Sequence, residues 1–373
     1  MSLEDLREEL ETVRQGILFL NHAGVSPLPR RAVDAMHRAI SFNQTLRVEE
    51  WAALQADVEA CRRSLARLIH ASPEEIALSR NTTESINWVA NGMAWKPGDR
   101  VVTVRGEYPA NIYPWMRLRE KGVEMHLVEP VEERVSLEQI EAALTPNTRL
   151  LSLSWVEFAS GFRIDLEAVG KLCEARGVLL LVDVIQGLGA LPLDVKQARV
   201  VMAAGAAQKW LLGPVGAGFL YCDRARLDEL EVTVAGADSV ARPIPYLDYE
   251  YVLKPDARRF EYSTTAVHAV IGWGASLSIF LEEGMETVAR RIWMLTEMVY
   301  EGAVRKGYKC HSPRGEGEWS GILSLTHPSR SVDSVIAELA AKRMFVRERE
   351  GRIRLSPHFY QTENEMAALV EAL

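Results

Sequence analysis

The 373-residue chain lacks paired cysteines, basic blocks and long apolar runs. Its four cysteines, Cys61, Cys173, Cys222 and Cys310, stand far apart and form no C-x-x-C pair, which argues against a zinc or other metal site. That scatter fits reduced thiols better than a disulfide framework. Acidic residues outnumber basic ones, 51 to 43, giving a net charge of −8, and this balance speaks against nucleic acid as a partner. No apolar stretch approaches the length of a membrane span. The first residues, Met1-Ser2-Leu3-Glu4-Asp5-Leu6-Arg7, show no basic-then-apolar signal pattern, so a cytoplasmic chain without a membrane partner is expected. Neither an internal repeat nor a low-complexity tract is present. A composition of 48% hydrophobic and 25% charged residues is that of an ordinary soluble globular protein, long enough for two domains.

One charged side chain stands out against that background. Lys209 is alone in the apolar, glycine-rich run from Ala204 to Tyr221, where Gly213, Pro214, Gly216 and Gly218 mark tight turning before a short strand. An ammonium placed there must find a counter-charge, reach solvent or lose its proton. A lysine that loses its proton by desolvation is a nucleophile able to form a Schiff base with a carbonyl. Upstream, Val178-Leu179-Leu180-Leu181-Val182 reads as a central parallel strand buried on both faces, with Asp183 at its carboxyl end. Open α/β sheets place their ligand crevices at that end. A buried carboxylate there needs a cation or donors, and a protonated pyridine nitrogen is such a cation.

Along the chain, residues 3–15 read as a helix and 17–20 as a strand. A loop, Asn21 to Pro29, leads into a helix from about Arg30. Strands are expected at 76–79, 100–104, 124–128, 150–156, 178–184, 200–203 and 217–221, separated mostly by helices. This rhythm predicts a mostly parallel sheet covered by helices. The rhythm ends after Arg226. Residues 236–258 look irregular, helices follow at about 265–282 and 285–306, and the last sixty residues alternate strands with helices. The expected division is a large domain over 16–260 and a small α+β domain built from 1–15 and 261–373.

Asp183-x-x-Gln186, followed by Gln208-Lys209-Trp210-Leu211-Leu212-Gly213-Pro214-x-Gly216-x-Gly218-Phe219, resembles the class V aminotransferases of fold type I. That group includes cysteine desulfurases, kynureninase and isopenicillin N epimerase-like proteins, and the resemblance runs from about Leu20 to the C-terminus. It implies an α/β fold type I transferase with a mostly parallel seven-stranded sheet, pyridoxal 5'-phosphate as cofactor, an amino acid substrate and a homodimer with a shared active site. By the same resemblance Lys209 carries the cofactor and moves the α-proton, and Asp183 keeps the ring protonated. Thr82 and Thr83, at a strand-to-helix junction suited to phosphate, supply donors, and Gln208 stands where relatives have histidine. Tyr108 stacks on the ring and Gln186 meets its phenolic oxygen. Arg354 grips the substrate carboxylate with a planar two-pronged donor. His22, in the loop at the mouth, would touch substrate, and Thr264 would reach the neighbouring subunit's phosphate.

Two departures stand out. Ala206 replaces a serine donor, and Glu157 replaces an amide that donates to the cofactor oxygen, so Glu157 must carry a proton or turn toward the substrate amine. Cysteine desulfurases also need a mobile nucleophilic cysteine, and the matching region, residues 344–351, has none. Transamination therefore ranks first, ahead of an epimerase-like reaction and of desulfurase or lyase chemistry. An inactive scaffold of the same fold is the reading from a different class.

Overall fold

A computed structural model describes residues 3–241, 247 and 249–373. Its main sheet has seven strands in the order Ile76–Ser79, Gly218–Cys222, Met202–Ala206, Leu179–Asp183, Thr148–Ser154, Arg100–Val104 and Glu124–Val128. Gly218–Cys222 runs antiparallel to both of its neighbours, and the other pairings are parallel. Every residue of Leu179–Asp183 is buried, as expected of an apolar run covered on both faces. The register pairs Asp183 with Ser154 on one side and Ala204 on the other. The carboxyl ends of the central strands therefore meet in one place.

The strands expected at 76–79, 100–104 and 124–128 are found with those bounds. The strand expected at 200–203 runs instead from Met202 to Ala206. Ala204, Gly205 and Ala206 have little intrinsic strand preference, but they pair with Leu220, Phe219 and Gly218, so pairing decides. The N-terminal helix is broken into Leu3–Glu8 and Glu11–Arg14, because fully buried Leu10 bridges to Pro29.

A second sheet orders Arg347–Arg349, Arg352–Leu355, Leu323–Thr326 and Lys309–Cys310, all antiparallel. Its core joins Leu323, Ile353 and Leu355 to Leu295 and Val299 of helix Met285–Arg305 and to Leu369 of helix Glu363–Ala372. Leu18–Phe19 pairs in parallel with Met344–Phe345 and brings the N-terminal segment onto this side of the molecule. Helix Val267–Glu283 packs against Arg30–Thr45 and Val48–Leu68. Part of the irregular segment expected at 236–258, namely 242–246 and 248, lies outside the described residues. Among the described residues no helix is long and apolar enough to cross a membrane.

Two glycines shape the turn after Lys209. Gly216 has φ +95°, which a side chain would strain, and a Cβ on Gly218 would stand 2.9 Å from backbone atoms of Asn81. That close approach seats the start of helix Thr82–Gly92 against the sheet. Gly218→Ala is expected to lower stability by about 1–3 kcal/mol through overpacking, read as a fall in denaturation midpoint.

Candidate active site

The carboxyl ends of the strands enclose a cavity of about 240 Å³. Eight of the eleven residues singled out in the sequence line it: Thr82, Thr83, Tyr108, Asp183, Gln186, Gln208, Lys209 and Arg354. Lys209 follows the strand Met202–Ala206, and its backbone is held by the N-terminal loop. Ser26 Oγ donates to the Lys209 carbonyl at 2.5 Å, and Ser26 N donates to the Gln208 carbonyl at 2.8 Å. Burial lowers the Lys209 amine to about 8; Arg354 and Arg349 push the same way, while Asp183 opposes them. The amine lies 5.6 Å from the centre of the Tyr108 ring.

Asp183 is buried at the end of its strand, and one of its oxygens accepts from Ile185 N at 2.9 Å. Burial pushes its carboxyl up to about 6, against the opposing pull of the Ile185 N–H and the Lys209 charge. Arg354 donates to the Phe158 carbonyl at 2.7 Å and reaches Asn21 Oδ1 at 3.4 Å. Burial, then Arg349 and Arg347, bring its guanidinium down to about 10. Tyr108 is half exposed, with Phe158 edge-on to it at 5.4 Å.

Asn81 caps helix Thr82–Gly92 by accepting from Glu84 N at 2.9 Å. Thr82 and Thr83 form the first turn and face the cavity. Gln186 is committed at both ends of its amide: Trp210 Nε1 donates to its oxygen at 3.0 Å, and its Nε2 donates to the Ala23 carbonyl at 3.0 Å. A primary amide carries two N–H bonds, so one remains for the cavity.

Three expected residues stand outside the cavity. His22 is fully buried behind it rather than at the mouth. Its Nδ1 meets the Ser356 carbonyl and its Nε2 the Tyr360 hydroxyl, each at 2.8 Å, while its neighbours Ala23 and Gly24 line the cavity. The family resemblance set this loop at the mouth and so marked His22, but its ring packs on Phe19 and His358 and it serves as a structural pin. Thr264 is on the surface, just before helix Val267–Glu283, away from this chain's own cavity. Glu157 is half-buried beside Phe158, which takes the lining position. Burial, together with the charges of Glu107, Asp183 and Glu133, holds its carboxyl well above the usual range. A carboxyl displaced toward its protonated form can donate a hydrogen bond.

The sequence reading passed over two residues. Glu107 is buried after strand Arg100–Val104 and accepts from Ser154 N and from Ser154 Oγ, each at 2.5 Å. Burial, with a contribution from Asp183, pushes it up to about 7. An acid directly before Tyr108 at a strand's carboxyl end was the available signal. Arg349 lines the cavity alongside Arg354. Only its odd spacing in Arg347-Glu348-Arg349 could have drawn notice.

The family model of class V aminotransferases matches residues 18–369. A probable cysteine desulfurase of Methanothermobacter thermautotrophicus is 31% identical over all of this chain and 98% of its own length. An uncharacterized aminotransferase of Bacillus subtilis, YcbU, is 26% identical over 92% of this chain and 89% of its own. Among solved structures, the apo cysteine desulfurase of Thermococcus onnurineus superposes with a TM-score of 0.90 at 24% identity, covering 99% of this chain and 96% of that one. A C-DES mutant with glycine covalently linked to its PLP cofactor gives 0.91 at 22% identity, covering 98% of each. The fold is thus that of fold type I pyridoxal-phosphate enzymes. The chain belongs to the class V aminotransferase family, whose enzymes depend on pyridoxal phosphate.

The residues present fit that cofactor. Thr82 Oγ1, Gln208 Oε1 and Arg354 Nε are buried and without a hydrogen-bond partner, and all three residues line the cavity. Buried polar atoms left unpaired cost about 1–3 kcal/mol each, so the cavity is built for a polar, anionic occupant. Gln208 serves a phosphate with its amide N–H turned to the cavity, the oxygen and nitrogen of a terminal amide being exchangeable by a flip.

Two measurements follow. The folded value of Asp183, about 6, lies above its ordinary 3.8, so the folded state binds the proton more tightly between those values. Stability from this group is therefore full below pH 3.8 and is lost as pH rises toward 6, by about 3 kcal/mol. Asp183→Asn should flatten that fall in cofactor-free protein, read by denaturation across pH 4–7. The neutral Lys209 amine should accumulate above about pH 8. Its acylation rate in cofactor-free protein is expected to level off there, about two and a half pH units below that of exposed lysines.

Proposed function

We propose that this chain cleaves the carbon–sulfur bond of a cysteine-type amino acid, as a pyridoxal-phosphate-dependent lyase. The observation that carries the reading is one cavity shared by a buried amine, a buried acid and an arginine fork, with no thiol on its walls. Cys61, Cys173 and Cys222 are buried elsewhere, with thiols pushed up to about 12. Cys310 lines a separate hollow, its thiol directed to the Ser312 carbonyl. Support for sulfur chemistry comes from the desulfurase names of the relatives and from a neighbour described as a cystine C-S lyase, TM-score 0.88. This moves sulfur chemistry ahead of the transamination expected from the sequence.

Bound here, pyridoxal phosphate supplies an aldehyde that exchanges amines and a cationic ring that takes up an electron pair from the α-carbon. Asp183 holds the proton on the ring nitrogen. Thr82, Thr83 and Gln208 hold the phosphate at the helix N-terminus. Arg354 orients the substrate by its α-carboxylate. Lys209 takes the proton from the α-carbon and then delivers a proton to the departing sulfur. Tyr108, whose ring centre lies 5.6 Å from the Lys209 amine, would stack on the ring and leave proton movement to the side of Lys209. In balance, cysteine and water give pyruvate, ammonia and hydrogen sulfide. The part assigned to Thr264, a donor to the partner subunit's phosphate in a homodimer, belongs to the same proposal.

Transamination is the second reading, favoured by the absence of any wall thiol to accept sulfur. The two are separated by incubating the enzyme with cysteine alone. Equal release of sulfide and pyruvate supports the lyase, sulfide with alanine in the presence of a small thiol marks a desulfurase, and amine exchange that requires a keto acid marks an aminotransferase. Lys209→Ala should remove turnover by at least about 100-fold and abolish the borohydride-fixed mass adduct of the cofactor; turnover or adduct surviving would remove Lys209 from this role.

A further inference from the structure

Four arginines stand on the ribbon formed by Arg347–Arg349 and Arg352–Leu355. Its register sets Arg347 opposite Arg354 and Arg349 opposite Arg352. Opposed residues, and residues two apart on one strand, share a face, so all four arginines rise from the same side. Arg354 is held by Phe158 and Asn21, and Arg352 pairs with Glu133 at 2.6 Å. Arg347 is exposed. Arg349 is half-buried and lines the cavity, and its guanidinium has no hydrogen-bond or ion-pair partner among the described residues.

The cavity wall therefore carries three cations, Lys209, Arg349 and Arg354, and one carboxylate, Asp183. Under the function proposed above, Asp183 is matched by the ring nitrogen and Arg354 by the α-carboxylate. No described residue pairs with Arg349, whose charge instead bears on both Lys209 and Arg354. Diagonal positions on such a ribbon lie about 7–8 Å apart, with their Cβ atoms somewhat closer. Both arginines line the same cavity, so a ligand held by Arg354 at one carboxylate has a second guanidinium fork on the same wall. A planar guanidinium without a partner is a receptor for a carboxylate.

We propose that the substrate carries a second carboxylate at the end of its side chain, and that Arg349 binds it. Within sulfur chemistry the class is a cysteine whose sulfur substituent ends in an acid. This inference rests on the assignment of the α-carboxylate to Arg354, and it adds the identity of the side chain.

The test uses matched probes that differ only in charge. Succinate and its monoamide, succinamate, are titrated calorimetrically into the holoenzyme, and S-carboxymethylcysteine and S-carbamoylmethylcysteine are compared by kcat/KM. The expected result is that each diacid is preferred by about tenfold or more. Arg349→Gln should bring both ratios toward one and Arg349→Lys should keep part of them. Arg176→Gln, which removes the same charge from an exposed ion pair with Glu141, should leave them in place. Equal binding of the two acids by the unaltered enzyme overturns the proposal without any variant. So does a preference that survives Arg349→Gln, or an Arg349→Gln effect confined to subunit association. The calorimetric ratio does not depend on turnover, so failure of the carbon–sulfur reading would be seen separately, as absent sulfide with the succinate preference intact.

Discussion

The structure depends on keeping an amine and an acid out of water at the same sheet edge without letting them neutralise one another completely. Lys209 and Asp183 line one hollow, and each is displaced toward its uncharged form by burial while the other's charge pulls it back. A buried charge without a full partner costs several kcal/mol (about, in real proteins). The sheet tolerates this because its interior is continuous and apolar, with Leu180, Leu181 and Val182 entirely inaccessible. Under the function proposed above, a cationic ring would answer the acid and an aldehyde would answer the neutral amine.

The acid side of the site extends beyond Asp183. Glu107 and Glu157 stand near enough to sense it, and both lie above the ordinary carboxylate range. Glu107 is tied to Ser154, the residue that pairs with Asp183 across the sheet. Glu157 is placed by its backbone bond to Phe162. Three acids crowded at one edge cannot all be ionised in a dry setting. Burial and the charges of Glu107 and Asp183 displace Glu157 toward its protonated form.

Much of the fold was legible in the sequence because it rests on local signals. Apolar runs bounded by turn residues gave three strands their observed limits, and Gly-rich punctuation located the turn after Lys209. Of the eight cavity residues, Lys209 and Asp183 were legible by themselves, as a lone charge in an apolar run and an acid at a strand's end, and the other six through the class V resemblance. The remainder was hidden for physical reasons. His22 looks like a loop residue until Ser356 and Tyr360, more than 330 positions away, close around it. Glu107 reads as a turn acid until Ser154 supplies its donors. Arg349 is one of four arginines in eight residues, and only the ribbon's register and the cavity's outline single it out.

The loop from Asn21 to Ser26 touches both halves of the site, though it contributes few groups to the chemistry. At one end His22 N and Ala23 N are fastened to Ser356, two residues beyond Arg354; at the other, Ser26 grips the carbonyls of Gln208 and Lys209. These few residues thus act as a gauge block, fixing the span between the ribbon that carries Arg349 and Arg354 and the segment that carries the Lys209 amine. Lengthening the loop by even one residue would leave every reactive group present and set them at the wrong spacing.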